Sequence, residues 1–145
     1  MEINAIIIDD EPLARNVILE YAKKIPSLKI AGECEDAISA HQLLQNKSVD
    51  LLFLDINMPK LSGIEFLKTL KNPPMVIFTT AYSEFALDSY ELNAVDYLKK
   101  PFSFDRFCKA YFRAEELIIL RQSSNKHEHA ENPGDFIFVK SDKKS

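Results

Sequence analysis

The chain has 145 residues, of which 46% are hydrophobic and 28% are charged, a composition typical of one globular domain with a sizeable core. Its formal net charge of −4 argues against non-specific binding to nucleic acid or to a membrane surface. No apolar run approaches the length of a membrane span and no signal-peptide pattern is present, so we expect a cytoplasmic protein with no membrane partner.

Hydrophobic patterning predicts strands and helices that alternate along the chain. Apolar runs of strand length lie at 5–8, 28–34, 49–55, 75–80 and 95–99. Amphipathic helices are predicted at 12–24, 36–45, 64–70, 84–92 and 103–121. Five strands that alternate with five helices predict an α/β fold with a doubly wound parallel sheet and right-handed crossovers.

Acidic residues follow two of the predicted strands. Asp9 and Asp10 follow the first strand, and Asp55 ends the third. If these strands are neighbours, their carboxyl ends meet at the switch point of the sheet, where ligands bind. Three carboxylates repel one another there, and a hard divalent cation such as Mg²⁺ would relieve the repulsion. A carboxylate beside such a metal can attack phosphorus and form an aspartyl-phosphate.

Two further polar residues are expected at the same edge. Thr80 ends the fourth strand and Lys100 follows the fifth, so a hydroxyl and a cation could face the phosphoryl oxygens. Each residue also has a simpler interpretation. Asp10 could cap the first helix, with Asp9 beside it, and the Thr80 hydroxyl could bond to backbone. The joint occurrence of all five residues favours the phosphoryl site.

The ordered set of motifs resembles the receiver domain of two-component response regulators over residues 3 to about 121. The residues that carry this resemblance are Asp9-Asp10, Asp55, Thr80-Ala81, Tyr97 and Lys100-Pro101-Phe102. The resemblance implies a flavodoxin-like receiver fold with strand order 2-1-3-4-5 and five helices.

The resemblance also implies the phospho-acceptor and the metal ligands. Asp55 would accept the phosphoryl group. Asp10, Asp55 and the backbone carbonyl of Asn57 would bind Mg²⁺, and Asp9 would contribute indirectly. The donor would be a histidine kinase, and the chain would catalyse only its own phosphorylation and dephosphorylation.

The remaining matches imply a conformational switch. Thr80 and Lys100 would contact the phosphoryl group, and the ring of Tyr97 would move between exposed and buried positions. Pro101 matches a position where the preceding peptide bond is usually cis.

The segment 82–102 resembles, more narrowly, the receivers that are joined to LytTR-type DNA-binding domains. Residues 123–134 are polar and turn-rich and are predicted to be a linker. Residues 135–145 resemble the first strand of a LytTR domain. We therefore expect a receiver domain at 1–122, a linker at 123–134 and a truncated output domain from 135, with DNA contacted only through the missing part.

A homodimer is predicted through the fourth helix, the fifth strand and the last helix. Phosphorylation would reshape this face and so control the output domain. Charges that could pair across a symmetric dimer are found there: Asp88, Glu91 and Asp96, opposite Arg106, Lys109 and Arg113.

Two alternative functions remain open from the sequence. A Mg²⁺-dependent aspartyl phosphatase would carry its nucleophile on the first strand with a second acid two residues later, whereas here Asp9 is followed at that distance by Glu11. A pseudo-receiver would act as an interaction module without phosphorylation. Such modules usually lose an acid or the lysine, and this chain keeps both.

Overall fold

A computed structural model of the chain describes residues 1–82 and 94–130, with side chains as far as residue 124. The strands are β1 (Ile3–Ile8), β2 (Leu28–Cys34), β3 (Leu51–Asp55), β4 (Met75–Thr80) and β5 (Asp96–Lys99). The helices within the described residues are α1 (Pro12–Ala22), α2 (Ala37–Asn46), α3 (Gly63–Lys68) and α4 (Phe104–Ala130). The helix predicted at 84–92 lies outside the described residues.

The five strands form one sheet in the order β2-β1-β3-β4-β5, and every pairing is parallel. This confirms the predicted topology. The central strand β3 is buried along its whole length, as its unbroken apolar run predicts. In register, Leu54 lies opposite Ile8 of β1, and Asp55 lies opposite Thr79 of β4. The carboxyl ends of three strands therefore meet at one edge of the sheet.

Helix α1 begins with Pro12, at a first-turn position where the missing N–H of proline leaves no bond unmade. The N-cap is Glu11 rather than Asp10, and the Glu11 side chain makes no capping hydrogen bond. Helix α3, in contrast, begins with a complete capping box between Ser62 and Glu65. The side chains of Asp10 and Glu11 are thus not used to cap α1.

Aromatic packing joins α1 to α4 and holds the loop between β5 and α4. The Tyr21 hydroxyl donates to the carbonyl of Phe102 at 2.8 Å. Phe107 stacks on Phe53 of β3 with 5.3 Å between ring centroids, and Tyr21 packs on Phe107 at 5.4 Å. This cluster ties the loop that carries Lys100 to the sheet and to α1.

The chain divides into two compact units, 1–115 and 116–145. The first unit contains the sheet, α1 to α3 and the part of α4 up to Glu115. In the second unit the described backbone is the continuation of α4 to Ala130, nine residues beyond the predicted end at 121. No proline or glycine occurs between Arg121 and Pro133, so nothing in the sequence stops the helix earlier. None of the helices within the described ranges is long and apolar enough to cross a bilayer.

Candidate functional site

Three carboxylates converge at the carboxyl edge of the sheet. Asp9 and Asp10 follow β1, and Asp55 ends β3 beside it. Each offers a side-chain oxygen that lies within 4.8 Å of the other two. Asp9 and Asp55 are only 1% and 3% exposed, whereas Asp10 is open to solvent. The structure thus brings together the three acids that the sequence predicts to meet.

Asp9 is held by contacts on every side. One carboxylate oxygen accepts the Glu11 N–H at 2.9 Å, and the other accepts from the Lys100 ammonium at 2.9 Å. The Arg15 guanidinium donates to the Asp9 carbonyl at 2.7 Å and to Glu33 at 3.1 Å. Asp9 therefore has an anchored backbone and both carboxylate oxygens occupied, which suits an indirect role beside Asp10.

The surroundings of Asp55 oppose the ionisation of its carboxyl group. Burial and the neighbouring charge of Asp9 raise the pKa of the Asp55 carboxyl to about 7, although the Lys100 ammonium and the Asn57 N–H act in the opposite direction. The Asn57 N–H donates to Asp55 Oδ1 at 3.2 Å. Near neutral pH this carboxyl lies close to its point of half-ionisation, so added positive charge would favour the nucleophilic anion.

Lys100 is the cation of the acid cluster. Its ammonium lies 2.9 Å from Asp9, 3.3 Å from Glu11 and 3.6 Å from Asp55. Burial by itself would lower the Lys100 pKa, but the hydrogen bond to Asp9 and the charges of Asp55 and Asp9 outweigh it and raise the pKa. The Lys100–Pro101 peptide bond is cis, as the resemblance implies. Lys100 therefore stays charged and balances part of the negative charge at this edge.

The Thr80 hydroxyl is fully buried and already engaged. It donates to the side-chain carbonyl of Asn57 at 2.9 Å and accepts the N–H of Tyr82 at 3.1 Å. The Thr80 backbone carbonyl accepts the Lys100 N–H at 2.7 Å. A ligand that needs the Thr80 hydroxyl as a donor must replace Asn57.

Tyr97 lies on β5 opposite Phe78 of β4, and its ring packs against the core. The Tyr97 carbonyl accepts from Arg106 at 3.2 Å, and the same guanidinium binds Asp96 through two bonds of 2.9 and 2.8 Å. Asp96 and Arg106, which the sequence offered for pairing across a dimer, are thus paired within one chain. Lys109, which was also predicted for the dimer face, is an exposed residue of α4.

Of the other residues predicted for the dimer face, Arg113 is an exposed residue of α4, whereas Asp88 and Glu91 lie outside the described residues.

The acids and the lysine open into a cleft of about 240 Å³. Its walls are formed by Asp10, Glu11, Asp55, Asn57, Ala81, Tyr82 and Lys100. The sequence analysis did not predict that Arg15 and Glu11 belong to the site, where Arg15 binds the Asp9 carbonyl and Glu11 contacts Lys100. The one sequence feature that could have indicated them is that both lie within two helical turns of the Asp9-Asp10 pair. Sequence spacing alone does not predict either contact. The cleft has the size and polarity to admit a small anion together with a cation.

Comparison with known proteins places this geometry in a family. The family model described as "Response regulator receiver domain" matches residues 5–112. The sensory transduction protein LytR of Staphylococcus haemolyticus is 37% identical over 127 residues, which are 86% of this chain and 48% of that protein. The transcriptional regulatory protein BtsR of Escherichia coli is 36% identical over 128 residues, which are 87% of this chain and 51% of that protein.

Solved structures show the same similarity. The response regulatory domain of mrkE from Klebsiella pneumoniae superimposes with a TM-score of 0.75 at 29% identity, over 81% of this chain and 99% of that one. TrrA from Thermotoga maritima, a response regulator solved in complex with Mg²⁺-BeF, gives a TM-score of 0.68 at 28% identity, over 79% and 99% of the two chains. The chain spans about half the length of the curated relatives it matches. It belongs to the response regulator receiver domain family, and its relatives include regulators of the LytR and BtsR type.

Proposed function

We propose that Asp55 accepts a phosphoryl group from a histidine kinase, that Mg²⁺ is required, and that the modification controls a DNA-binding output domain. The observation that carries this proposal is the position of Asp55, a buried carboxylate between two other acids and one lysine at the mouth of an open cleft. Such an arrangement disfavours the anion until a cationic ligand completes it.

The residues present fit Mg²⁺. Three carboxylate oxygens within 4.8 Å of one another form a set of hard oxygen donors, and Asp10 is exposed enough to leave room for metal-bound water. We infer that Asp10, Asp55 and the backbone carbonyl of Asn57 would hold the ion, with Asp9 acting indirectly. When bound, the ion would neutralise charge on the carboxylates and on the transferring phosphoryl oxygens.

The chain's own residues supply the remaining chemistry. A carboxylate oxygen of Asp55 attacks the phosphorus of a phosphohistidine, a P–O bond forms, and the P–N bond breaks. The donor imidazole leaves with the nitrogen's electron pair and takes a proton from solvent. Lys100, already 3.6 Å from Asp55, needs only a small movement to pair with the new phosphoryl oxygens. Hydrolysis of the acyl phosphate later restores the carboxylate.

The response begins with an exchange of hydrogen bonds. Thr80 releases Asn57 and donates to a phosphoryl oxygen, and the ring of Tyr97, which is partly buried against the core beforehand, packs further inward. This rearrangement would alter the face that includes β5 and α4, through which we propose that phosphorylated chains pair. We also propose that the receiver ends near residue 122 and that 123–134 link it to a LytTR-type domain beginning near 135. The greater length of the LytR and BtsR relatives supports this extension.

Intact-mass measurement tests the acceptor directly. The chain is incubated with Mg²⁺ and a small phosphodonor such as acetyl phosphate, and we expect the mass gain of one phosphoryl group. Asp55→Asn should show no gain, while Asp105→Asn, which changes an exposed acid in the first turn of α4, should label as the wild type does. Labelling of Asp55→Asn at the wild-type rate would refute the proposal. A wild type that binds Mg²⁺ yet takes no phosphate would favour the pseudo-receiver.

A further inference from the structure

Glu11 lies in the wall of the cleft that contains Asp55 and Lys100, and it is not among the residues proposed to bind Mg²⁺ or the phosphoryl group. It occupies the N-cap of α1, yet its side chain makes no capping hydrogen bond. Its carboxylate instead lies 3.3 Å from the Lys100 ammonium, and the residue forms part of the cleft wall. The Asp9 carboxylate accepts the Glu11 N–H at 2.9 Å, and this hydrogen bond holds the Glu11 backbone in place.

The Lys100 ammonium is shared unequally among three acids. Its two shorter contacts go to Asp9 and Glu11, and the longest, 3.6 Å, goes to Asp55. The Asp9 side chain is 2% exposed and fixed at both oxygens, so its contact is part of the frame of the site. The Glu11 side chain is 66% exposed and can move away without unfolding anything. Glu11 is therefore the partner that Lys100 can exchange.

We propose that Glu11 is a positioning residue that competes with the phosphoryl group for Lys100 and thereby weakens the phosphorylated state. The proposal rests on the proposed function of Asp55. A phosphoryl group at Asp55 brings one to two further negative charges into a cleft whose wall includes the Glu11 carboxylate. Lys100 must then leave Glu11, and the two anions repel each other across the cleft.

The same charge has the opposite effect on a cation. A carboxylate in the wall attracts Mg²⁺ to the cleft even if it is not a ligand. Removing the Glu11 charge while keeping its shape should therefore weaken Mg²⁺ binding and strengthen binding of a phosphoryl mimic. Because the carboxylate is largely solvated, each effect should be small, about threefold. A purely structural role would change both affinities in the same direction.

Isothermal titration calorimetry of the full chain separates these possibilities. The variants are Glu11→Gln and the control Glu20→Gln. Glu20 also lies on α1, is 67% exposed, and pairs with a lysine, Lys23, at 2.9 Å. Each protein is titrated with Mg²⁺ alone and then, at saturating Mg²⁺, with beryllium trifluoride. The ¹⁵N shift of the Lys100 ammonium, measured without metal, reports the lost contact independently of either ligand.

We expect Glu11→Gln to bind Mg²⁺ about threefold more weakly and beryllium trifluoride about threefold more tightly than the wild type, with a changed Lys100 shift. Glu20→Gln should match the wild type in all three measurements. Equal affinities in Glu11→Gln and wild type, or changes of the same sign for both ligands, would overturn the role of Glu11 while leaving the proposed function intact. A wild type that binds neither ligand would overturn both.

Discussion

Replacing Asp55 by asparagine should stabilise the metal-free chain at pH 8. The wild-type carboxyl is buried beside Asp9, and its pKa of about 7 means that the fold opposes its ionisation. Asparagine has nearly the same shape and keeps the oxygen that accepts the Asn57 N–H at 3.2 Å. The substitution therefore removes an unfavourable charge without opening a cavity.

The size and the pH window follow from linkage. An unfolded aspartate ionises near pH 3.9 and the folded Asp55 near pH 7, a difference of about three units, or at most about 4 kcal/mol at about 1.4 kcal/mol per unit. Because the folded pKa is the higher one, this group's contribution to stability is fully present below about pH 4. It is lost as pH rises through about 7. The advantage of Asp55→Asn should thus grow across this window and then level off.

Urea unfolding in the presence of a chelator measures this difference. We expect Asp55→Asn to exceed the wild type in free energy of unfolding by about 1–4 kcal/mol at pH 8 and by much less at pH 5. Excess Mg²⁺ should shrink the gap, because the wild type gains a ligand that the variant binds poorly. Asp36→Asn is the opposite-sign control, since hydrogen bonding to Ser39 lowers the Asp36 pKa. An Asp55→Asn gap that does not change between pH 5 and pH 8 would refute the electrostatic explanation.

Four further substitutions test the frame around the site. Lys100→Met leaves the acids without their cation, so we expect a loss of about 2 kcal/mol in urea unfolding without metal, and a larger stabilisation by Mg²⁺ than in the wild type. Gly63→Ala would drive a Cβ into the backbone carbonyl of Asp55 and should lose more than about 2 kcal/mol. Gly32→Ala should lose less on the same assay, because it meets only a movable leucine side chain. Arg106→Lys removes a two-bond contact, and an NMR titration should show the lowered Asp96 pKa moving back up.

The strand positions and the acids at their ends were accessible from local sequence patterns, whereas the strand order 2-1-3-4-5 was implied by the resemblance to receiver domains. The run at 51–55 is apolar on both faces, as expected of a central parallel strand, and it ends in Asp55. Once β1 and β3 are neighbours, the positions of Asp9 and Asp10 follow from the common direction of the strands. No side-chain geometry was needed for that step.

The contacts that set the charge balance were not accessible in this way. Glu11 and Lys100 are 89 residues apart, and their contact depends on how the loop after β5 turns back over α1. The intrachain pairing of Asp96 with Arg106 depends in the same way on where α4 begins. Helix α4 runs nine residues past its predicted end at Arg121, because the polar residues that follow contain no proline or glycine before Pro133 and can continue the helix.

The groups that would respond to phosphorylation are all bonded before it arrives. The Thr80 hydroxyl donates to Asn57, and the Lys100 ammonium is shared by Asp9 and Glu11. Under the proposed function, the phosphoryl group does not create new contacts on free side chains but exchanges with existing partners. Its net effect on the equilibrium between two conformations is therefore the difference between the old bonds and the new ones. A difference of this kind is small, so exchangeable partners such as Glu11 and Asn57 can set how far a single phosphorylation shifts the population.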